Sequence, residues 1–530
     1  MERPSASGVK APFGGETFSL SSITSTFLRR DGRYVVRTDG ADGVVREFDV
    51  AYTFGAYPLQ QYLIAAPGGR LQAFGIAWDA RPAPSGQHWY ALYADDEPRP
   101  AGDIQHWTSP SHNWNRECAD CHSTNVRKNY FPDSDRYETV FTDVNVACEA
   151  CHGAGSRHVT WARAGARGND NGLTPIHSFD GSAWRTDTTT GTKHRVQPRA
   201  SYVEIEMCGR CHSRRVQLTD EIDAGRPLTD SYRPSLLDED LYFADGQIGG
   251  EVYEYGSFLQ SRMYANGVTC GDCHEPHRPE LSSRRDDVCQ RCHSPETFAT
   301  PSHHHHATRS SGSSCVSCHM PSRTYMGIDV RHDHSFPVPR PDLTETIDTP
   351  NTCTSCHSDR SASWAAENIA HWFGKATARP HYGEALAAGR RVEDDAPTKL
   401  LSIVSDDMWP GIVRATAVSL LARWFDSRSS PVLARATHDS DALVRMAAVG
   451  VLQTFAPQQR TALLMPRLGD PRRVVRIEAA RGLNTNLEEW TAVQRFNADT
   501  AAAHVNLGSL YAGRGDLQSA THEYEIARRL

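Results

Sequence analysis

No stretch of this 530-residue sequence approaches the ~18 consecutive apolar residues of a membrane-spanning helix, which excludes a helical membrane anchor within it. Its opening, MERPSASGVKAPFGG, has neither the charged start nor the apolar centre of a secretory signal. Basic residues are not in excess. Lys and Arg number 56 against 64 Asp and Glu, a net charge of −8, so nucleic acid is not an expected partner. Between about Asp103 and Gly374 the apolar periodicity that builds a side-chain core is missing as well. Gly, Ser, Asp, Arg and His are abundant there instead, so something other than side chains has to fill that interior.

What that region does have is cysteine. All 14 cysteines of the chain fall in seven C-x-x-C-H units. These are Cys118/Cys121/His122, Cys148/Cys151/His152, Cys208/Cys211/His212, Cys270/Cys273/His274, Cys289/Cys292/His293, Cys315/Cys318/His319 and Cys353/Cys356/His357. C-x-x-C-H is the attachment signature of c-type haem. Two cysteines one short helical turn apart reach the two vinyl edges of one porphyrin, and the imidazole of the next residue falls beneath the iron. Zinc is a poor rival, because a structural zinc site takes two C-x-x-C pairs and seven is odd. With 25 histidines in 530 residues, a histidine after every pair by chance has odds of roughly one in a billion. Disulfides across C-x-x-C would be redox-active and not structural. The expectation is seven covalently bound haem c groups that themselves form the core of an irregular domain. First-cysteine separations of 30, 60, 62, 19, 26 and 38 residues keep the fourth to sixth motifs close together.

A haem iron has a second axial position, and its occupant separates low-potential carriers from methionine-ligated carriers and from open, substrate-binding irons. The chain has 18 histidines outside the motifs. His277 stands three residues past His274, too near to fold over its own iron but well placed for a neighbouring one. His158 follows its motif similarly in CHGAGSRH, and His334 sits in the turn-rich RHDHSFPVP. These three are the expected distal ligands, with His106, His112, His303, His305 and His332 as further candidates. The run His303 to His306 also reads as a flexible tract with adventitious metal affinity. Met320 and Met326 are expected to pack on a porphyrin and not to ligate it.

The flanking regions read differently. After a disordered start at 1–16, residues 17–104 form an antiparallel β-rich domain. Tyr34–Thr38 and Val44–Tyr52 flank the turn-rich DGADG, and Tyr62–Ala66 and Leu71–Trp78 flank PGG. His88 falls on the last candidate strand as a half-buried core histidine. The multihaem domain is expected over 105–374 and HEAT-like helical repeats over 375–490, where Val413, Val444 and Val475 recur every 31 residues. Residues 497–530 match tetratricopeptide spacing through Leu507, Gly508, Tyr511, Gly515, Ala520, Tyr524 and Ala527. One such repeat cannot bury its face alone, so an incomplete array or docking onto another surface is expected. The fold class is α+β multidomain: a small antiparallel β-domain, an irregular multihaem domain with a haem-filled core, and a C-terminal α-solenoid.

The stretches FGAYPLQQYL, NWNRECADCHSTN, VACEACHGAGSRH, CVSCHMP and DHSFPVPRPD, followed by helical repeats, resemble multihaem cytochromes of the cytochrome c-552/4 type fused to tetratricopeptide repeats. The resemblance covers most of the chain. It implies an exported bacterial protein with a signal peptide, a further haem motif upstream of the β-rich segment and more repeats downstream. The sequence is therefore expected to be a piece of a longer chain, with an eighth haem in the whole. More distantly, CHGAGSRH, and CHMP followed by DHSF, are similar to the superfamily holding pentahaem nitrite reductase and octahaem hydroxylamine oxidoreductase. That likeness implies His158 and His334 as distal ligands. No motif here carries lysine in place of histidine, the variant that marks the nitrite-reducing haem in many of those relatives.

These readings imply electron transfer along closely spaced, mostly bis-histidine haems in a periplasmic or otherwise exported setting, with the helical repeats docking a redox partner protein. One alternative is an oxidoreductase acting on a small nitrogen or sulfur compound at one open haem. Another is a scaffold stabilised by its haems. No residue in the sequence identifies itself as catalytic.

Overall fold

The computed structural model describes the chain except for residues 21–22, 94–98, 169–170, 177–183, 200, 279, 284–285, 375–379 and 425–427. Helices and strands are both present, and the chain divides into two units. One comprises Met1–Thr174, Thr324–Arg331 and Ala492–Leu530, the other Pro175–Arg323 and His332–Thr491. This redraws the division expected from sequence, in which all seven motifs share one domain over 105–374. Cys118, Cys121, Cys148 and Cys151 belong with the β-sheet and the last helices, and the other five motifs belong with the 31-residue repeats. Spacing along the chain could not show that break, because the 60 residues between the second and third motifs are no longer than the 62 between the third and fourth.

In the first unit, alternating apolar and polar residues give eight strands. They are β1 (Gly14–Leu20), β2 (Ile23–Arg30), β3 (Arg33–Asp39), β4 (Val45–Phe54), β5 (Leu59–Ala66), β6 (Arg70–Ala73), β7 (Ile76–Asp79) and β8 (His88–Ala91). The antiparallel order is β1-β2-β3-β4-β5-β7-β8, with β6 paired to β5. The hairpins expected around DGADG and PGG are β3–β4 and β5–β6. Their shared core is aromatic: Phe13, Phe27, Tyr34, Tyr62, Phe74, Trp78, Trp89 and Trp107 are all buried.

Two further expectations are corrected here. The start is not disordered, because Phe13 packs edge-on against Phe27, Tyr34, Tyr62 and Trp89. Glu2 also pairs with Thr53 through backbone bonds of 3.0 and 2.9 Å. A polar composition hid one ring that four others enclose. His88 is exposed rather than in the core, because β8 turns Trp89 and Ala91 inward.

The last two helices, Ala501–Gly513 and Leu517–Arg529, pack against each other, with Gly508 so close under the Tyr524 ring that a Cβ would come within 2.6 Å. Their base is anchored. Lys128 Nζ donates to both oxygens of the buried Asp499 at 2.7 and 2.9 Å, and Tyr137 Oη donates to it at 3.1 Å. The start of this helix pair is therefore tied to the segment that follows the first motif. Lys128→Ala would leave the Asp499 carboxylate buried without its counter-ion and is expected to cost about 3–5 kcal/mol. Lys128→Met with Asp499→Leu should recover most of that loss, and urea unfolding of the two variants compares them directly.

In the second unit each repeat helix, Gly411–Leu420, Ala442–Leu452 and Arg473–Leu483, carries in its first turn a fully buried valine followed by arginine. Arg414 bonds to Asp439, and Arg445 to Asp470 at 2.8 and 3.0 Å. Arg476 closes the ladder on the Asp470 carbonyl at 2.8 Å and on Glu489 at 2.7 and 2.9 Å. One face of the repeats is covered by the unit's own haem-motif segment. Leu237 N donates to Thr416 Oγ1 at 3.1 Å, and Arg390 donates to the Leu237 and Tyr242 carbonyls at 2.7 and 3.0 Å. Tyr382 Oη reaches the Asp245 carbonyl at 2.7 Å. Among the described residues no helix is long and apolar enough to cross a membrane.

Candidate haem-binding sites

The backbone of the motifs does what the spacing requires. Cys121 N and His122 N both donate to Cys118 O, at 3.2 and 3.1 Å, and the pair of bonds recurs on Cys208 O and Cys289 O. One tight turn thus presents two thiols together with the imidazole next to them. The second motif reaches the same end as a short helix, Cys148–His152, which carries the exposed Cys148, the half-buried Cys151 and His152. Gly153, at φ 70°, closes that helix by donating its N–H to the Glu149 carbonyl at 3.1 Å. Cys151 therefore stands beside the proximal histidine as the sequence expects, but with less of the second motif covered by protein. Asn351 caps the helix of the seventh motif by accepting from Thr354 N at 3.0 Å, and Asn113 caps the short helix Trp114–Glu117 that leads into the first by accepting from Arg116 N at 3.1 Å. All 14 thiols are free of disulfides, and that of Cys356 is exposed like that of Cys148.

Consecutive motifs of the second unit adjoin one another. The Cys208 thiol hydrogen-bonds with Cys270 and the Cys289 thiol with Cys315. Cys273 lies within electrostatic reach of Cys292, and Cys318 of Cys353 and Cys356. Burial, together with these neighbours, pushes the Cys273 thiol up to about 11. The third to seventh motifs therefore follow one another in space as they do in sequence.

The imidazoles are oriented by their outer nitrogens. Nδ1–H of His152 donates to the Thr174 carbonyl at 3.1 Å, and that of His319 to the Pro337 carbonyl at 3.0 Å. The same holds for His158 on Asn171, His332 on Met320 and His334 on His332, at 2.8, 2.9 and 2.9 Å. His306 does so on the His304 carbonyl at 2.5 Å. A carbonyl only accepts, so the proton sits on Nδ1 and Nε2 carries the lone pair that a metal would take. Burial lowers the pKa of His293, His303 and His319, which favours the neutral form a ligand needs.

Three motif imidazoles face a second imidazole. Ring centroids are 6.3 Å apart for His274 and His334, 6.3 Å for His303 and His319, and 6.1 Å for His306 and His357, with interplanar angles of 29°, 17° and 30°. Metal–nitrogen bonds of about 2 Å, with each ring centre about 1.2 Å behind its nitrogen, put two imidazoles sharing one metal about 6.4 Å apart. The donor set at each pair therefore fits a haem iron, which the two imidazoles would hold between them.

Other candidates are placed elsewhere. His106 is buried, with Nε2 3.1 Å from Asp39 and Nδ1 2.7 Å from Thr108, so both of its nitrogens have partners within the protein. His112 holds Nδ1 near Ser109 and Ser111, at 3.3 and 3.1 Å. The His277 side chain is 71% exposed, with Nδ1 3.4 Å from Glu275. His305 stacks on Trp372, centroids 4.1 Å apart at 8°. Met326 packs against the Leu59, Ala77 and Leu92 cluster of the β-domain rather than near a motif. Within the histidine run Pro301–His304 is helical and His305 is left-handed at φ 54°, which sends His303 and His306 to different motifs. His306 was not singled out by sequence, and neither was Glu254, whose Oε2 accepts from His212 Nδ1 at 2.8 Å.

Comparison with known proteins agrees with the motif reading. Residues 89–153, which contain the first two motifs, match the family described as cytochrome c554 and c-prime. Residues 397–484 match HEAT repeats. No curated protein matches the chain. Among solved structures, the crystal structure of the outer cell wall cytochrome OcwA is similar, with 17% identity and a TM-score of 0.43 over 76% of this chain and 88% of that one. With a cytochrome family match over the first two motifs, five more motifs of the same form behind it and a HEAT match over the 31-residue repeats, the chain is similar to c-type cytochromes in its motif-bearing part and to HEAT repeats in its helical part.

Proposed function

We propose that this cytochrome conducts electrons along seven haem c groups, one on each C-x-x-C-H motif, in an exported setting. The observation that carries the reading is the set of three imidazole pairs spaced as if around a shared metal. Haem iron supplies one-electron chemistry when bound. The chain's own residues do the rest. The cysteine pairs, from Cys118 and Cys121 through Cys148 and Cys151 to Cys353 and Cys356, fix each ring covalently. His122, His152, His212, His274, His293, His319 and His357 offer the proximal nitrogens. His334, His303 and His306 offer distal nitrogens to His274, His319 and His357. Two neutral imidazoles of one pair would hold a haem iron between them. The adjoining thiols of the third to seventh motifs support a haem-filled core with short spacings.

Partner docking by the repeats is narrowed by the fold. The face built by Arg390 and Thr416 already holds residues 237–242, so a redox partner would use another face. The reading is tested by loading the chain with haem, counting haem by pyridine haemochrome and quantifying spin states by electron paramagnetic resonance. Seven haems per chain, with at least three low-spin irons indifferent to added nitrite, are expected. Fewer than seven haems would refute the full count.

A further inference from the structure

We infer that Glu254 is a positioning residue that lowers the reduction potential of the haem carried by Cys208 and Cys211; the inference rests on the proposed haem attachment at that motif. His152 and His319 give Nδ1–H to neutral carbonyls, whereas His212 gives it to a carboxylate at 2.8 Å. A carboxylate acceptor draws the proton away from the ring and makes Nε2 a stronger donor, which favours ferric over ferrous iron.

The backbone holds the carboxylate in place. Tyr255 N donates to the His212 carbonyl at 2.8 Å, so the residue next to Glu254 is tied to the motif itself. Tyr255 and Phe258 are buried at 7% and 9% exposure and root the short helix that follows. Gly256 lies where a Cβ would come within 3.6 Å of Ile412 on the first repeat helix, and Arg390 holds the neighbouring Tyr242 carbonyl at 3.0 Å. The helical repeats thus brace the loop that carries the charge. Glu254 also acts electrostatically on His274, so its charge reaches the next motif.

The test is Glu254→Gln in the full, haem-loaded chain, with a potentiometric titration followed by visible absorbance and electron paramagnetic resonance. Glutamine keeps the size and an acceptor oxygen but removes the charge. We expect one midpoint to rise by at least a tenfold loss of ferric preference, about 59 mV for one electron, and the adjacent haem to shift less. Glu254→Asp should restore most of the original value. Full haem content with every midpoint unchanged overturns the inference. Should Glu254→Gln lose haem, Glu254→Asp decides alone: a smaller upward shift at one midpoint supports the role, and no shift rejects it. Absence of haem on the Cys208/Cys211 peptide of the unaltered chain, read by mass spectrometry, would instead refute the attachment on which the inference depends.

Discussion

Replacing His334, His303 or His306 by alanine is expected to convert one low-spin iron into a high-spin, ligand-accessible one in each case, and the triple variant to convert three. Each of these histidines faces a motif imidazole at 6.1 to 6.3 Å. Alanine removes the only atom of the residue that can reach a metal between them, while the thioether bonds keep the ring attached. His334 and His306 are oriented by bonds from Nδ1–H to a carbonyl, so their Nε2 atoms are aimed before any metal arrives. Electron paramagnetic resonance with and without nitric oxide reads the outcome. His106→Ala serves as the control: its ring is held by Asp39 and Thr108, and the spin count should not move. A His334→Ala variant with all irons still low-spin and closed to nitric oxide would sink the pairing of His274 with His334.

The turn geometry of the motifs was legible in the sequence, and the facing of their histidines by other histidines only partly so. C-x-x-C-H is local chemistry: one helical turn sets the geometry, and Cys118, Cys208 and Cys289 close that turn with the same backbone bonds. Distal ligation is a long-range property. His303 and His306 are three residues apart and would share a face of an uninterrupted helix. The left-handed His305 turns them to different motifs, and nothing in a run of four identical residues announces which one breaks the helix. The repeats were visible for the opposite reason, because a buried valine every 31 residues is a periodic signal. The arginine after each valine was in plain view too. Its partner acid is fixed by stacking of one repeat on the next, which periodicity implies but does not locate. Phe13 was missed because a single aromatic in a polar stretch carries no pattern at all.

Arg445→Ala is expected to lower stability by about 3–5 kcal/mol, a large part of the ~5–15 kcal/mol available to a typical domain. The Arg445 side chain is 9% exposed and Asp470 is fully buried, with two bonds of 2.8 and 3.0 Å between them. Arg445 Nη1 also donates to the Asp439 and Ser440 carbonyls at 2.8 and 3.0 Å, so truncation strands a carboxylate and two carbonyls together. Arg467, 3.7 Å from Asp470, offsets part of the loss but is too far for a normal hydrogen bond. Arg445→Met with Asp470→Asn removes the buried charge as well as its partner and should lie much closer to the unaltered protein. Urea unfolding followed by helical circular dichroism gives the midpoints, and a drop in Arg445→Ala of less than about 0.5 kcal/mol would show that the ladder contributes little. The variant also asks what the repeats are for. Ile412 and Arg390 brace the loop that sets Glu254 against His212, so melting the repeats should raise the midpoint of the Cys208/Cys211 haem in the same urea range in which the helices are lost. If the helices melt while that midpoint stays fixed, the loop holds its own shape and the repeats are free for another task.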